Sequence, residues 1–265
     1  MWKLLLIPLS LYAFILVLLF AFQGRLLFPA GSVGGAGPLP PGAERLSLDT
    51  PDGDRLHGVR LKPLDKASDT LILGFGGNGW NAETAAAYLH GLFPEAEVVA
   101  FHYRGYRPST GTPSARALIE DSALIHDFAV GRLRSARTVA VGFSVGTGVA
   151  ASLAKRRRID GLILVTPFDR LSEVAAGQFT WLPVRLLFRH EMKPAEWLRG
   201  SPVPVAIIAG ERDTLIPAAR TDALRRSVGR LVYDRTISGA GHNDIYDRPA
   251  FRGAIREAFG RVAVR

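Results

Sequence analysis

Three side chains in this sequence have the types, and arrive in the order, that acyl transfer needs. Ser144 sits in "GFSVG", Asp213 in "AGERDTLIP" and His242 in "SGAGHNDIY". A hydroxyl is a weak nucleophile until a base takes its proton. Histidine can be that base, and a carboxylate can fix its tautomer and stabilise the imidazolium. The same trio occurs on unrelated architectures in different chain orders, so the order Ser, Asp, His carries information of its own. The chain holds 28 glycines, so Gly142-x-Ser144-x-Gly146 alone is too short a pattern to trust. Its setting gives it weight. "TVAVGF" before it reads as a buried strand and Gly146 to Arg157 after it as a helix, which puts the serine on a tight strand-to-helix turn. Glu211 and Asp244 are alternative acids, although Asp244 is close enough to His242 in sequence to serve the loop instead. His57, His90, His102, His126 and His190 have no such setting and are expected to be structural.

Acyl transfer also needs donors for the oxyanion. One is expected from the backbone N–H of Val145, directly after the nucleophile. The second is expected from Asn78 in "LGFGGNGWN", with Gly77 and Gly79 allowing close backbone approach. The same stretch spells G-x-G-x-x-G at Gly74, Gly76 and Gly79, the pattern of a dinucleotide loop. A dinucleotide site wants an acid ending the next strand, and that strand ends "AFHY", with His102 where the acid would stand. No organic cofactor and no metal is expected. The chain has no cysteine, which removes disulfides and thiolate chemistry.

These loops need a frame. "ERLSLDT" and "DRLHGVRLK" read as a hairpin across Pro51, Asp52 and Gly53. "TLILGF", "EVVAFHY", "TVAVGF", "GLILVTPF", "PVAIIAG" and "RLVYDRTIS" are further strands. Helical stretches lie between them at 82–93, 115–133, 146–157 and 217–227, with a last one at 249–262. Alternation of this kind predicts an α/β fold: a mostly parallel eight-stranded sheet with helices on both faces. The stretch 169–199 breaks the alternation. It is either a crossover helix or a short cap, and as a cap it would supply an apolar acyl pocket through Phe179, Trp181 and Leu182, with Gly77 opposite.

Before that frame comes "LLLIPLSLYAFILVLLFAFQG", uncharged from Leu4 to Gly24. As a helix it would be about 31 Å long, close to the hydrocarbon thickness of a bilayer. Residues 1–24 are expected to be an uncleaved single-pass anchor. The alternative is a cleaved signal and secretion, although "FAFQGRLLF" offers no small-x-small site. Flanking charge is nearly balanced between Lys3 and Arg25, with the catalytic domain weakly favoured on the non-cytoplasmic side. Residues 25–43, rich in glycine and proline, read as a linker, and 44–265 as the folded domain. The net charge of +9 comes from scattered arginines without a basic aromatic stripe, so no nucleic-acid partner is expected. The oligomeric state is not encoded in any pattern.

Taken together, "GRLLFPAG", "LDTPDGDRLHGVRL", "GFGGNGWN", "HYRGYRPSTGTPS", "GFSVGTGVAASLA", "LILVTPFDRLSEVA", "PVAIIAGERDTLIP" and "GAGHNDI" resemble the α/β-hydrolase superfamily. Within it the chain is similar to the membrane-anchored branch of fungal bud-emergence-type proteins and mammalian abhydrolase-domain lipases. The resemblance implies Ser144, Asp213 and His242 as the triad and Asn78 at the oxyanion loop. Two departures stand out: Gly76 replaces the histidine that usually opens that loop, and His102 and Arg107 replace the Asp and Gly that bound the usual Asp-Tyr-Arg-Gly-Tyr-Gly. Members of the branch act on lysophospholipids, monoacylglycerols or palmitoylated proteins. The expectation is therefore a membrane-anchored serine hydrolase that cleaves carboxylic ester or thioester bonds of acyl lipids or acylated substrates. The rivals are an aminopeptidase-like serine peptidase and a catalytically idle fold used as a tethered binding partner.

Overall fold

A computed structural model describes residues 2–34, 38–64, 69–133 and 135–263 of the chain. In chain order the elements are α1 (Trp2–Leu27), β1 (Glu44–Asp49), β2 (Arg55–Leu61), β3 (Thr70–Phe75), α2 (Ala82–Leu92), β4 (Glu97–Phe101) and α3 (Ala115–Leu133). There follow β5 (Arg137–Phe143), α4 (Val145–Arg156), β6 (Gly161–Val165), α5 (Leu171–Gln178), α6 (Val184–Leu187), α7 (Pro194–Trp197), β7 (Val205–Gly210), α8 (Ala218–Arg225), β8 (Leu231–Ile237) and α9 (Pro249–Ala263).

Among the described residues, eight strands form one sheet in the order β1-β2-β4-β3-β5-β6-β7-β8. β1 and β2 are an antiparallel hairpin, β2 joins β4 antiparallel, and all later pairs are parallel. The uninterrupted apolar runs of β3, β6 and β7 have every residue buried, as strands covered on both faces must. Within β3 the two-residue alternation splits the core: Leu71 and Leu73 join one cluster with Val149 and Leu164, and Ile72 joins the other with Ile163 and Phe251. α2 begins where the Asn81 side chain accepts the Thr84 N–H at 2.8 Å, an ordinary N-cap. Because β3 and β5 through β8 run the same way, the loops after them gather at one carboxyl edge, where parallel sheets carry their sites.

The stretch between β6 and β7 is three short helices, α5 to α7, lying beyond that edge rather than one crossover helix. The amino-terminal segment departs from the expected bounds. α1 continues to Leu27, and Phe28 is buried at 2% exposure in the main core, with Leu27, Ala30 and Val33 packed against it. Phe28 and the residues packed around it therefore contact the folded body within the stretch expected to be linker. Phe28 fills a core site that composition does not reveal. Gly35, Ala36 and Gly37 of the expected linker lie outside the described residues.

Candidate active site

Ser144 ends β5 and opens α4. Its backbone is at φ 52° and ψ −119°, a conformation that L side chains seldom adopt. The flanking glycines are what the tight turn requires. A Cβ on Gly142 would fall on the carbonyl of Gly146, and one on Gly146 would fall on the carbonyl of Phe75. The Ser144 N–H donates to Val165 O at 3.0 Å, and Thr147 Oγ1 donates to Ser144 O at 2.6 Å, so the strained residue is held from both sides.

His242 lies on the loop after β8, with Nε2 at 2.9 Å from Ser144 Oγ and Nδ1 at 2.7 Å from Asp213 Oδ2. An ionised carboxylate can only accept, so Nδ1 carries the proton and Nε2 is left to accept from the serine hydroxyl. Asp213 comes from the loop after β7. Its other oxygen, Oδ1, accepts the N–H groups of Leu215 at 3.0 Å and Ile216 at 2.8 Å, which fixes the carboxylate plane. Pairing of Gly210 with Ile237 at the ends of β7 and β8 sets the two loops side by side.

The other two acids have different work. Glu211 accepts from Ser238 Oγ at 3.0 Å and the Gly239 N–H at 2.7 Å, and that N–H holds its carboxyl below the usual range. Asp244 accepts the Gly241 N–H at 2.6 Å and pairs with Arg248, whose guanidinium holds its carboxyl down as well. Both brace the strand-to-helix loop that presents His242.

Across from Ser144 lies the loop after β3. A Cβ on Gly77 would stand 3.8 Å from the Ser144 Cβ, so this backbone abuts Ser144. Tyr103 Oη donates to Gly76 O at 2.7 Å and secures the loop from below. The Asn78 side chain is engaged at both ends: Tyr106 Oη donates to Oδ1 at 2.7 Å, and Nδ2 donates to Leu27 O at 2.5 Å. His102 is remote from this edge in function: its Nε2 lies 2.8 Å from buried Glu83, and burial holds its pKa below the ordinary value.

Two features were not anticipated from sequence. An aromatic cluster supports the elbow, with Trp80 4.9 Å and Tyr246 5.8 Å from the Phe143 ring, and Tyr88 Oη donating to Tyr246 O at 2.9 Å. Burial pushes the Tyr246 hydroxyl up to about 12, so it stays neutral. The second is the α1 wall of an apolar cavity of about 380 Å³ that lies between this helix and the cap. Phe179 and Leu182 line the cavity; Trp181 and Gly77, the other expected pocket residues, do not. The Trp181 ring is exposed and its carbonyl accepts from Tyr12 Oη at 2.9 Å. The opposite wall is α1 itself, which the sequence reading treated as an anchor only. A larger cleft near Arg137 and Arg230 lies at the far edge of the sheet and contains none of these groups.

Residues 71–193 match the model of the alpha/beta hydrolase fold family. An uncharacterized protein of Mycobacterium tuberculosis is 32% identical over 94% of this chain and 92% of its own length. The chain belongs to the α/β-hydrolase superfamily. This α/β hydrolase is also 28% identical to the lysophosphatidylserine lipase ABHD12 of Rattus norvegicus, over 62% of the chain and 48% of the lipase. The chain thus matches about half of that relative's length, and the likeness supports the abhydrolase-domain branch. The Pyrococcus furiosus esterase Pf2001 shares the fold with a TM-score of 0.70 at 17% identity, covering 88% of this chain and 97% of the esterase.

Proposed function

We propose that this α/β hydrolase is a membrane-anchored serine esterase that cleaves acyl esters or thioesters through an acyl-enzyme. One observation carries the reading: Ser144 Oγ, His242 and Asp213 form a continuous hydrogen-bonded relay with links of 2.9 and 2.7 Å. Ser144 Oγ attacks the carbonyl carbon while His242 Nε2 takes its proton. The Val145 N–H at the start of α4 and the Asn78 N–H receive the negative oxygen. The tetrahedral intermediate collapses, and His242 returns the proton to the leaving alcohol or thiol. Water, deprotonated by the same Nε2, then releases the carboxylic acid and frees Ser144. Asp213 stays ionised throughout and stabilises the imidazolium.

An acyl substrate is supported by the apolar cavity between α1 and the cap and by the lipase name of the ABHD12 relative. Retention of α1 as an anchor is supported by its contacts with the domain. Gln23 Nε2 donates to Leu187 O at 3.1 Å, Gln23 Oε1 accepts the Arg189 N–H at 2.8 Å, and a cleaved signal would forfeit both. Among the described residues α1 is the one helix long and apolar enough to span a bilayer.

Labelling with a fluorophosphonate tests the reading on the full-length chain. Labelling of the wild type that disappears in Ser144→Ala is expected. A wild type that neither labels nor hydrolyses a nitrophenyl ester would sink the proposal and leave a fold used for binding.

A further inference from the structure

The cavity between α1 and the cap has a composition and a position that together name its occupant. From α1 it takes Leu16, Leu19, Phe20, Gln23, Leu26 and Leu27, a helical stripe at the spacing of one face. Phe179, Leu182 and Leu187 face them from the cap. Gln23 is the one side chain of this stripe with polar atoms, and its amide is already spent. Nε2 donates to Phe20 O and Leu187 O, each at 3.1 Å, and Oε1 accepts from Arg189. The walls offer a ligand apolar contact and no free hydrogen-bonding group, which suits a hydrocarbon chain. From Leu16 to Leu27 the slot runs about 16 Å along the helix axis.

Both ends of the slot are informative. At the inner end, Leu27 O accepts from the Asn78 side chain, and the preceding Gly77 abuts Ser144. On the cap side, Gln178, directly before Phe179, donates to Thr214 O at 3.0 Å and Leu215 O at 3.2 Å, in the loop that carries Asp213. The slot is therefore bracketed by the two loops that flank the nucleophile. At the outer end the apolar surface continues into the open: Leu9, on the slot face of α1, and Trp181 and Leu186 of the cap are all exposed. Tyr12 still contacts the Trp181 carbonyl, so the cap follows the helix for about 16 Å, from Gln23 to Tyr12. A cap edge of exposed Trp181 and Leu186 at that depth is surface for hydrocarbon, not for water.

We propose that this slot holds the acyl chain of a lipid ester drawn sideways from the bilayer, so that α1 is one wall of the substrate site as well as the anchor. The inference rests on the serine-hydrolase reading and adds where the chain lies. A lipid enters between α1 and the cap without leaving the hydrocarbon, and its ester carbonyl arrives at Ser144 past Asn78. Chain-length selectivity is then set by α1 residues that a soluble relative of the same fold would lack.

The test uses the full-length protein in phosphatidylcholine vesicles and a hexadecyl fluorophosphonate with a diazirine at the chain end. After reaction at Ser144, illumination is expected to crosslink the probe to the peptide containing residues 16–27, read by mass spectrometry. Independently, Leu19→Trp is expected to lower the ratio of palmitate to butyrate nitrophenyl ester hydrolysis about tenfold, because it overfills the slot. Val17→Trp, on the outward face, keeps the wild-type ratio. Labelling at Ser144 with crosslinks confined to other elements, or an unchanged ratio in Leu19→Trp, overturns the slot and leaves the esterase standing. No labelling at Ser144 overturns both.

Discussion

The side-chain amide of Asn78 donates to the carbonyl oxygen of Leu27 at 2.5 Å, joining the loop that faces Ser144 to the last residue of α1. The membrane-directed helix and the expected oxyanion loop are thus one mechanical unit. Tyr106 Oη completes it by donating to Asn78 Oδ1 at 2.7 Å. Replacing Asn78 by alanine leaves the backbone N–H in place but unties the loop and strips the hydroxyl of buried Tyr106 of its acceptor. The expected outcome is a loss of about 1–3 kcal/mol of stability together with a fall in kcat. Tyr106→Phe removes the hydroxyl with its need for a partner and is expected to cost less on both counts. Urea denaturation and ester hydrolysis, measured on the same preparations, check this. Equal effects of the two variants would count against the tether.

Asp213 and its neighbours give a second contrast. Asp213→Asn keeps the shape but lets the amide donate toward Nδ1, which favours the tautomer that cannot accept from Ser144. A fall in kcat of about 10³–10⁴-fold is expected by analogy with the general triad. Glu211→Gln retains an acceptor for the Gly239 N–H and lies outside the relay, so its cost is expected to be far smaller. Steady-state kinetics on both variants decide between the two carboxylates. A comparable collapse in Glu211→Gln would reassign the acid.

The strands were legible because each is an unbroken apolar run bounded by turn residues, and a parallel sheet buries both faces of such runs. The relay was legible for a different reason. Ser144, Asp213 and His242 all sit at strand ends, and parallel strands bring those ends to one edge whatever lies between. What sequence could not show is which side of α1 packs. Its residues are apolar all round, so the stripe from Leu16 to Leu27 has no polar face to contrast with, and periodicity carries no signal. Trp181 failed in the opposite way: an aromatic residue in a cap reads as pocket lining, yet its exposed ring and its carbonyl both meet Tyr12 of α1 outside the cavity. Phe28 was hidden in a glycine-rich segment whose composition reads as linker.

Asp127 provides a pH-dependent contact at the far end of α4 from Ser144. It receives both Nε and Nη2 of Arg157, each at 2.7 Å, tying α3 to the end of α4, the helix that Ser144 opens. The Arg157 guanidinium holds its carboxyl down at about 2, against an ordinary value of 3.8, with His126 adding a smaller push. A depressed folded pKa means stabilisation that is complete above the ordinary value and is lost as pH falls from about 4 toward 2. Asp127 is about half exposed, so solvent screens the pair and its share is small. Asp127→Asn is expected to lower the urea midpoint at pH 6, and the gap to wild type is expected to narrow steadily below about pH 4. A gap that stays constant to pH 3 and below would mean the pair contributes nothing through charge.

Ser144 itself pays for its position in backbone strain. At φ 52° and ψ −119° a side chain with a Cβ costs about 1–3 kcal/mol, and glycine is free of that cost. Glycine loses about 0.4–1 kcal/mol through the greater freedom of its unfolded chain. The strain is the larger effect, so Ser144→Gly is expected to be more stable than Ser144→Ala by about 1 kcal/mol, in the direction that the N-cap position itself also favours. Both variants lack the hydroxyl and are expected to be inactive, so the comparison isolates the backbone from the chemistry. Thermal or urea unfolding of the pair reads it directly. An alanine variant as stable as the glycine variant would show that the turn is relaxed and that the nucleophile is held without strain.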